Sequence, residues 1–277
     1  MTLGIIVGAA TDVGQVRDHN EDGYLFDDNL GLIAVADGMG GHRGGEVASA
    51  TALEALHTAL SGSSGIREAI GVANDTVFER STTDEGLRGM GTTLTAGIFD
   101  RLGTLTVGHV GDSRAYLLRD NELVRITTDH SLVEELVAAG ELTEEEAERD
   151  PRRSMITRAL GLEPGVEVDL YPVELEAGDR VLLCSDGLTT MLHEAEIAAL
   201  LDGEGDPDQA ARALVVAANA AGGVDNITVL VVDVAEADPD ADDTDADNTD
   251  ADDPDVSADR AATAARPKRR GLLRRRQ

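Results

Sequence analysis

Tryptophan is absent from the 277 residues, and tyrosine and phenylalanine number three each. A core must therefore be assembled from valine, leucine, isoleucine and alanine, for which a hydrophobic content of 42% is sufficient. The one cysteine, Cys184, excludes an intramolecular disulfide and fits a reducing, cytoplasmic setting. Lysine is nearly missing too: Lys268 is the only one, and the other basic residues are arginines. No run of 18 apolar residues occurs, so no segment of this sequence is expected to span a bilayer. Thr2 to Thr11 has neither a basic leading region nor a long apolar core, so no secretory signal is expected.

Positive charge is scarce and unevenly placed. The net charge is −31. Residues 236–259 carry 12 of the 54 acidic side chains and no basic one, and residues 260–277 carry 8 of the 23 basic side chains and no acidic one. The remaining 42 acids and 15 bases leave residues 1–235 at −27, which argues against nucleic acid as a partner. The chain thus divides into a folding domain over 1–235, a low-complexity acidic linker over 236–259 and a basic tail over 260–277. The tail's cluster, Lys268 to Arg276, suits an anionic membrane surface.

Five aspartates stand in five short motifs: Asp22 in R-D-H-N-E-D, Asp37 in V-A-D-G-M-G-G-H, Asp112 in V-G-D-S-R, Asp186 in C-S-D-G-L and Asp225 in G-G-V-D-N-I-T. Most of them end an apolar run that reads as a β-strand, and small residues follow. A carboxylate in such a place can leave the sheet and face a shared cleft. Several converging there would repel one another unless a cation stood between them, and all-oxygen ligands suit Mg²⁺ or Mn²⁺. A turn aspartate is the simpler reading for Asp112 and Asp225 taken alone.

The wording and order of the motifs resemble the bacterial metal-dependent protein phosphatases of type 2C. The likeness runs through T-D-V-G-Q-V-R-D-H-N-E-D, D-G-M-G-G-H-R-G-G-E, G-T-T, G-H-V-G-D-S-R-A-Y, T-D-H-S-L-V, I-T-R-A-L-G, L-L-C-S-D-G-L-T and V-D-N-I-T-V, over roughly residues 3 to 233. It implies a monomeric enzyme that hydrolyses phosphoserine and phosphothreonine in proteins with two or three Mn²⁺ or Mg²⁺ ions per chain. The water nucleophile would be activated by the metals, and the partners would be phosphoproteins, Ser/Thr kinases and their substrates. A cysteine-nucleophile mechanism is disfavoured, because the arginine it wants six residues after the cysteine is Thr190 here. The resemblance implies that Asp37 bridges two metals, with the Gly38 carbonyl beside it, and that Asp186 and Asp225 complete the first site. Glu21 or Asp22 supports the second, and Asp112 with Asp186 holds a third. Arg17 is the phosphate-clamp candidate, because guanidinium offers phosphate a bidentate fork; the competing reading pairs it with Asp12 or Asp18. The general acid is open between His42, which also reads as a helix-entry residue, and a metal-held water. Met39 departs from members with histidine directly after Asp-Gly, and Arg152-Arg153-Ser154 departs from their Arg-Asn. Alternatives are a phosphatase acting on anti-sigma antagonists and a pseudophosphatase that only binds phosphoproteins.

Strands are expected at about residues 3–10, 23–26, 30–36, 92–99, 102–109, 114–119, 180–184 and 227–232, and helices at 46–60, 66–81, 194–201 and 208–221. This order lacks regular βαβ alternation, so the fold class is α+β with mainly antiparallel sheets. The resemblance implies a four-layer sandwich, two stacked antiparallel sheets flanked by helix pairs, with a flap over 131–156.

Overall fold

The computed structural model describes residues 2–41, 43–100 and 102–237. The acidic linker beyond Ala237, the basic tail and His42 lie outside the described residues. In the first sheet the order is β1 (Leu3–Asp12), β11 (Ile227–Glu236), β10 (Arg180–Cys184), β7 (Arg114–Arg119) and β8 (Glu122–Arg125), every neighbour antiparallel. In the second it is β2 (Asp22–Asp27), β3 (Leu32–Met39), β5 (Leu94–Phe99), β6 (Thr104–Val110) and β9 (Asp169–Glu174), with the short β4 (Gly91–Thr92) also on β3.

Three apolar layers hold the stack together. Ile33, Val35, Val107, Val181, Leu183, Leu230 and Val232 meet between the two sheets. On the outer face of the second sheet, α1 (Gly44–Ser61) and α2 (Ile66–Thr83) close over Leu32, Ala34, Ala36 and Leu94. Helix α1 turns Ala48, Ala52, Leu56 and Leu60 inward at four-residue spacing, and its alanines let it lie close to the strands. Leu56 is fully buried; cutting it to alanine would cost about 2–5 kcal/mol. On the outer face of the first sheet, α6 (Glu194–Gly203) and α7 (Pro207–Ala220) cover Leu182, Val229 and Val231. This is the expected four-layer sandwich, with antiparallel sheets inside and helix pairs outside.

The structure adds the strands β8 and β9, which the periodicity does not show. Strand β9 carries Pro172, which argues against a strand in sequence but is tolerated here because β9 is a sheet edge. Strand β8 follows a two-residue turn in which Asp120 and Asn121 both have positive φ, 50° and 64°, the geometry of a tight hairpin. The cap of α7 is Asp206, which accepts from the Gln209 amide at 3.0 Å with Pro207 in the first turn. The flap contains α3 (Leu132–Ala138) and α4 (Glu144–Arg149), the second started by a Thr143–Glu146 capping box. Strand β11 continues to Glu236, one residue past the domain limit expected at 235, and the Ala237 amide still donates to Thr2 O. Among the described residues no helix is long and apolar enough to cross a membrane.

Candidate metal centre

The ends of strands from both sheets deliver the carboxylates to one edge of the sandwich. Asp22 opens β2 and pairs in register with Asp37 near the end of β3. Directly opposed residues on neighbouring strands stand about 4.5–5.5 Å apart, and like charges there are destabilising. Asp112 lies in the turn from β6 to β7, where the chain crosses from one sheet to the other. Asp186 begins the short helix α5 (Asp186–Thr189) directly after β10, and Asp225 precedes β11. Because β11 runs antiparallel to β10, its start lies beside the end of β10.

The electrostatics show that the acids face one another. Burial, and then the charges of Asp22, Asp186, Asp112 and Asp225, push the Asp37 carboxyl well above the usual range. Burial is likewise the first cause of the upward shifts of Asp22, Asp112 and Asp186, each reinforced by neighbouring aspartates. Three side-chain oxygens, Oδ1 of Asp22, of Asp112 and of Asp186, are buried without a hydrogen-bond partner. Orphaned buried acceptors are costly, and three in one cluster of like charge call for a cation. Glu21 lies beside the Gly38 carbonyl: a Cβ placed on Gly45 would meet Glu21 Oε2 at 2.4 Å and Gly38 O at 2.8 Å. Gly45 is in turn required by that crowding. Among the described residues no three acidic, histidine or cysteine side chains are already closed around a common cation position. The donor set is all oxygen and fits a hard divalent ion.

Arg17 stands at the margin of the cluster. Its Nη2 donates to Asp225 Oδ2 at 2.7 Å, and its side chain is 52% exposed, so the partner is neither Asp12 nor Asp18. Arg114 and Arg158 are engaged elsewhere. Arg114 grips Asp129 through Nε and Nη2 and reaches the Tyr116 hydroxyl, and Arg158 donates to Asp169. Cys184 is fully buried, and burial raises its thiol pKa to about 12, which leaves it inert as a nucleophile.

Neutral side chains that the motif reading passed over hold the acids in place. Ser185 Oγ donates to Asp22 Oδ2 at 2.7 Å and accepts from the Thr228 amide at 3.0 Å. Asn226 accepts from the Glu21 amide at 2.8 Å, while its Nδ2 donates to Val13 O and His19 O, both at 2.9 Å. One amide thereby moors the loop carrying Arg17 and Glu21 to the start of β11. Thr93 Oγ1 receives the Asp37 amide at 2.9 Å and lies 2.8 Å from Ser113 Oγ. The signal for Ser185, Asn226 and Ser113 was their place inside the same motifs as the acids, while Thr93 stands in G-T-T.

The protein phosphatase 2C family model matches residues 15–213. The chain belongs to that family. It is 43% identical over 236 residues to a serine/threonine phosphatase stp of Listeria welshimeri, a match covering 80% of this chain and 93% of that protein. The crystal structure of the Mycobacterium tuberculosis serine/threonine phosphatase PstP/Ppp superposes with a TM-score of 0.77 at 40% identity, over 83% of this chain and 98% of that one. A catalytic domain of PstP in complex with two manganese ions gives 0.77 at 40%, over 85% and 100%. With this kinship the chain is an enzyme, a protein-serine/threonine phosphatase of the bacterial metal-dependent type, and its partners are phosphorylated proteins.

Proposed function

We propose that this phosphatase hydrolyses phosphoserine and phosphothreonine at a site of two or three Mn²⁺ or Mg²⁺ ions, and that it reverses the action of bacterial Ser/Thr kinases in the cytoplasm. The observation that carries the reading is the set of three orphaned, buried carboxylate oxygens gathered around Asp37 beside a half-exposed arginine. Asp37, with the Gly38 carbonyl, Asp186 and Asp225 would hold one ion. Glu21 or Asp22 would support a second, and Asp112 with Asp186 a third. When bound, the ions supply Lewis acidity and a water acidic enough to attack at neutral pH.

The protein's own part is to place the phosphate and exclude rivals. Arg17 is free to turn from Asp225 to the phosphoryl oxygens, since half its side chain already meets solvent. It then neutralises charge on the phosphoryl group and fixes its orientation. The proton for the departing serine alkoxide falls to His42 or to water; His42 is outside the described residues. A pseudophosphatase is disfavoured because no acidic position of the expected set is substituted.

The test is hydrolysis of a phosphoserine peptide after exhaustive chelation, then with Mn²⁺, Mg²⁺ or Ca²⁺ restored. Activity should vanish with chelator and return best with Mn²⁺. Full activity in the metal-free protein would overturn the reading.

A further inference from the structure

His130 has no part in the chemistry above, yet its hydrogen bonds lead straight to the Asp112 turn. It is buried. Its amide donates to Gly111 O at 2.7 Å, and its Nδ1 accepts from the Gly111 amide at 2.9 Å. Both polar groups of Gly111 are therefore held by one residue. Gly111 has φ +115°, and a Cβ there would strike Thr93 at 2.5 Å, so no other residue takes its place without strain. On the far side of Asp112, Ser113 Oγ is held by Thr93. Asp112 is thus fixed from both flanks while its own Oδ1 stays buried and unpaired.

The tautomer follows from the same contacts. A backbone N–H can only donate, so Nδ1 must present its lone pair and Nε2 must carry the proton. That proton goes to Asp169 Oδ2 at 2.9 Å; Arg158 Nη1 lies 2.9 Å from Nε2 and 3.2 Å from Asp169 Oδ1, and since a guanidinium only donates, with Nε2 protonated its hydrogen bond is to Asp169 and not to the ring. The His109 ring packs against His130 at a centroid distance of 4.8 Å. The His130 carbonyl also accepts from the Thr157 amide at the base of the flap.

We propose that His130 is a positioning residue for the Asp112 metal site: through Nδ1 it holds the Val110–Gly111 peptide, and with it the turn that directs Asp112 toward Asp186, and Asp169 fixes the tautomer this requires. The inference rests on the functional reading above, in which Asp112 is a metal ligand.

Two substitutions separate the arms of the ring. Asparagine places an acceptor where Nδ1 was, and glutamine places a donor near Nε2 but offers Gly111 nothing. The experiment is calorimetric titration of Mn²⁺ into the full chain without substrate, for wild type, His130→Asn and His130→Gln, with thermal melts alongside. The weakest Mn²⁺ step should lose roughly tenfold in affinity in His130→Gln, the scale of outer-shell losses. In His130→Asn it should stay within about twofold of wild type, as a retained acceptor implies. Retention by the glutamine variant, or equal loss in the asparagine variant, would overturn the assignment. Should the glutamine variant fail to fold, the asparagine variant decides alone, retention supporting the role and loss refuting it. Wild type that binds no Mn²⁺ would instead sink the metal-site reading itself.

Discussion

Without its metals the enzyme should lose stability as pH rises, and neutralising Asp112 should restore it. Burial, followed by the charge of Asp186, pushes the Asp112 carboxyl up to about 8 from an ordinary 3.8. An acid whose folded pKa lies above its unfolded value keeps its proton in the fold after the unfolded chain has lost it. Stability is then greatest below the unfolded pKa and falls with pH until the folded pKa is passed. Between pH 7 and 8 the loss from Asp112 alone is about 1 kcal/mol, less than a full pH unit's worth because the folded group itself begins to ionise. In a domain of this size that lowers Tm by about 2–4 °C. The window starts at pH 7 because His109, held down to about 4 by burial and by His130, acts with the opposite sign. Its contribution grows with pH up to the ordinary histidine value of about 6.5 and is flat beyond. The assay is scanning calorimetry of chelator-treated wild type and Asp112→Asn at pH 5, 7 and 8. Metal-free Asp112→Asn should melt above metal-free wild type at pH 8, with the gap narrowing toward pH 5. Saturating Mn²⁺ should reverse the order, because a cation makes the ionised carboxylate favourable. If metal-free Asp112→Asn melted below wild type at pH 8, the repulsion argument would be refuted.

Steady-state kinetics on a phosphoserine peptide should grade the site. Asp37→Asn should cost at least about 10³-fold in kcat, since it removes the carboxylate that faces all the others, whereas Asp112→Asn should mainly raise the Mn²⁺ concentration needed; near-wild-type activity in both would show the assignment to be wrong. Arg17→Ala should raise KM and lower kcat, reducing kcat/KM by about 10²-fold. An unchanged kcat/KM would leave Arg17 as a partner of Asp225 only.

What the sequence disclosed depended on the range of the interaction concerned. Strands such as β3 and β11 were legible because their apolar runs are local and are buried on both faces. Strand β9 was hidden by Pro172, since nothing local says that the missing donor faces outward at a sheet edge. Strand β8 was short, but the Asp120-Asn121 turn before it was a usable signal, as those residue types tolerate positive φ. The acids of the candidate site stood out because a carboxylate beside glycine at a strand end is unusual, and four of the five aspartates stand beside glycine. Their supports were not. Asn226 binds Val13 across 213 positions, and Ser185 binds Asp22 across 163. No spacing rule reaches that far, and a neutral side chain within a motif looks like filler until the sheets are stacked. The sandwich converts remote neighbours into contacts by bringing the end of β10 and the starts of β2 and β11 to one edge. There the acids supply the charge, and neutral residues such as Ser185, Asn226 and Thr93 hold the acids and their loops in place, so the site's geometry belongs to the fold as much as to the acids.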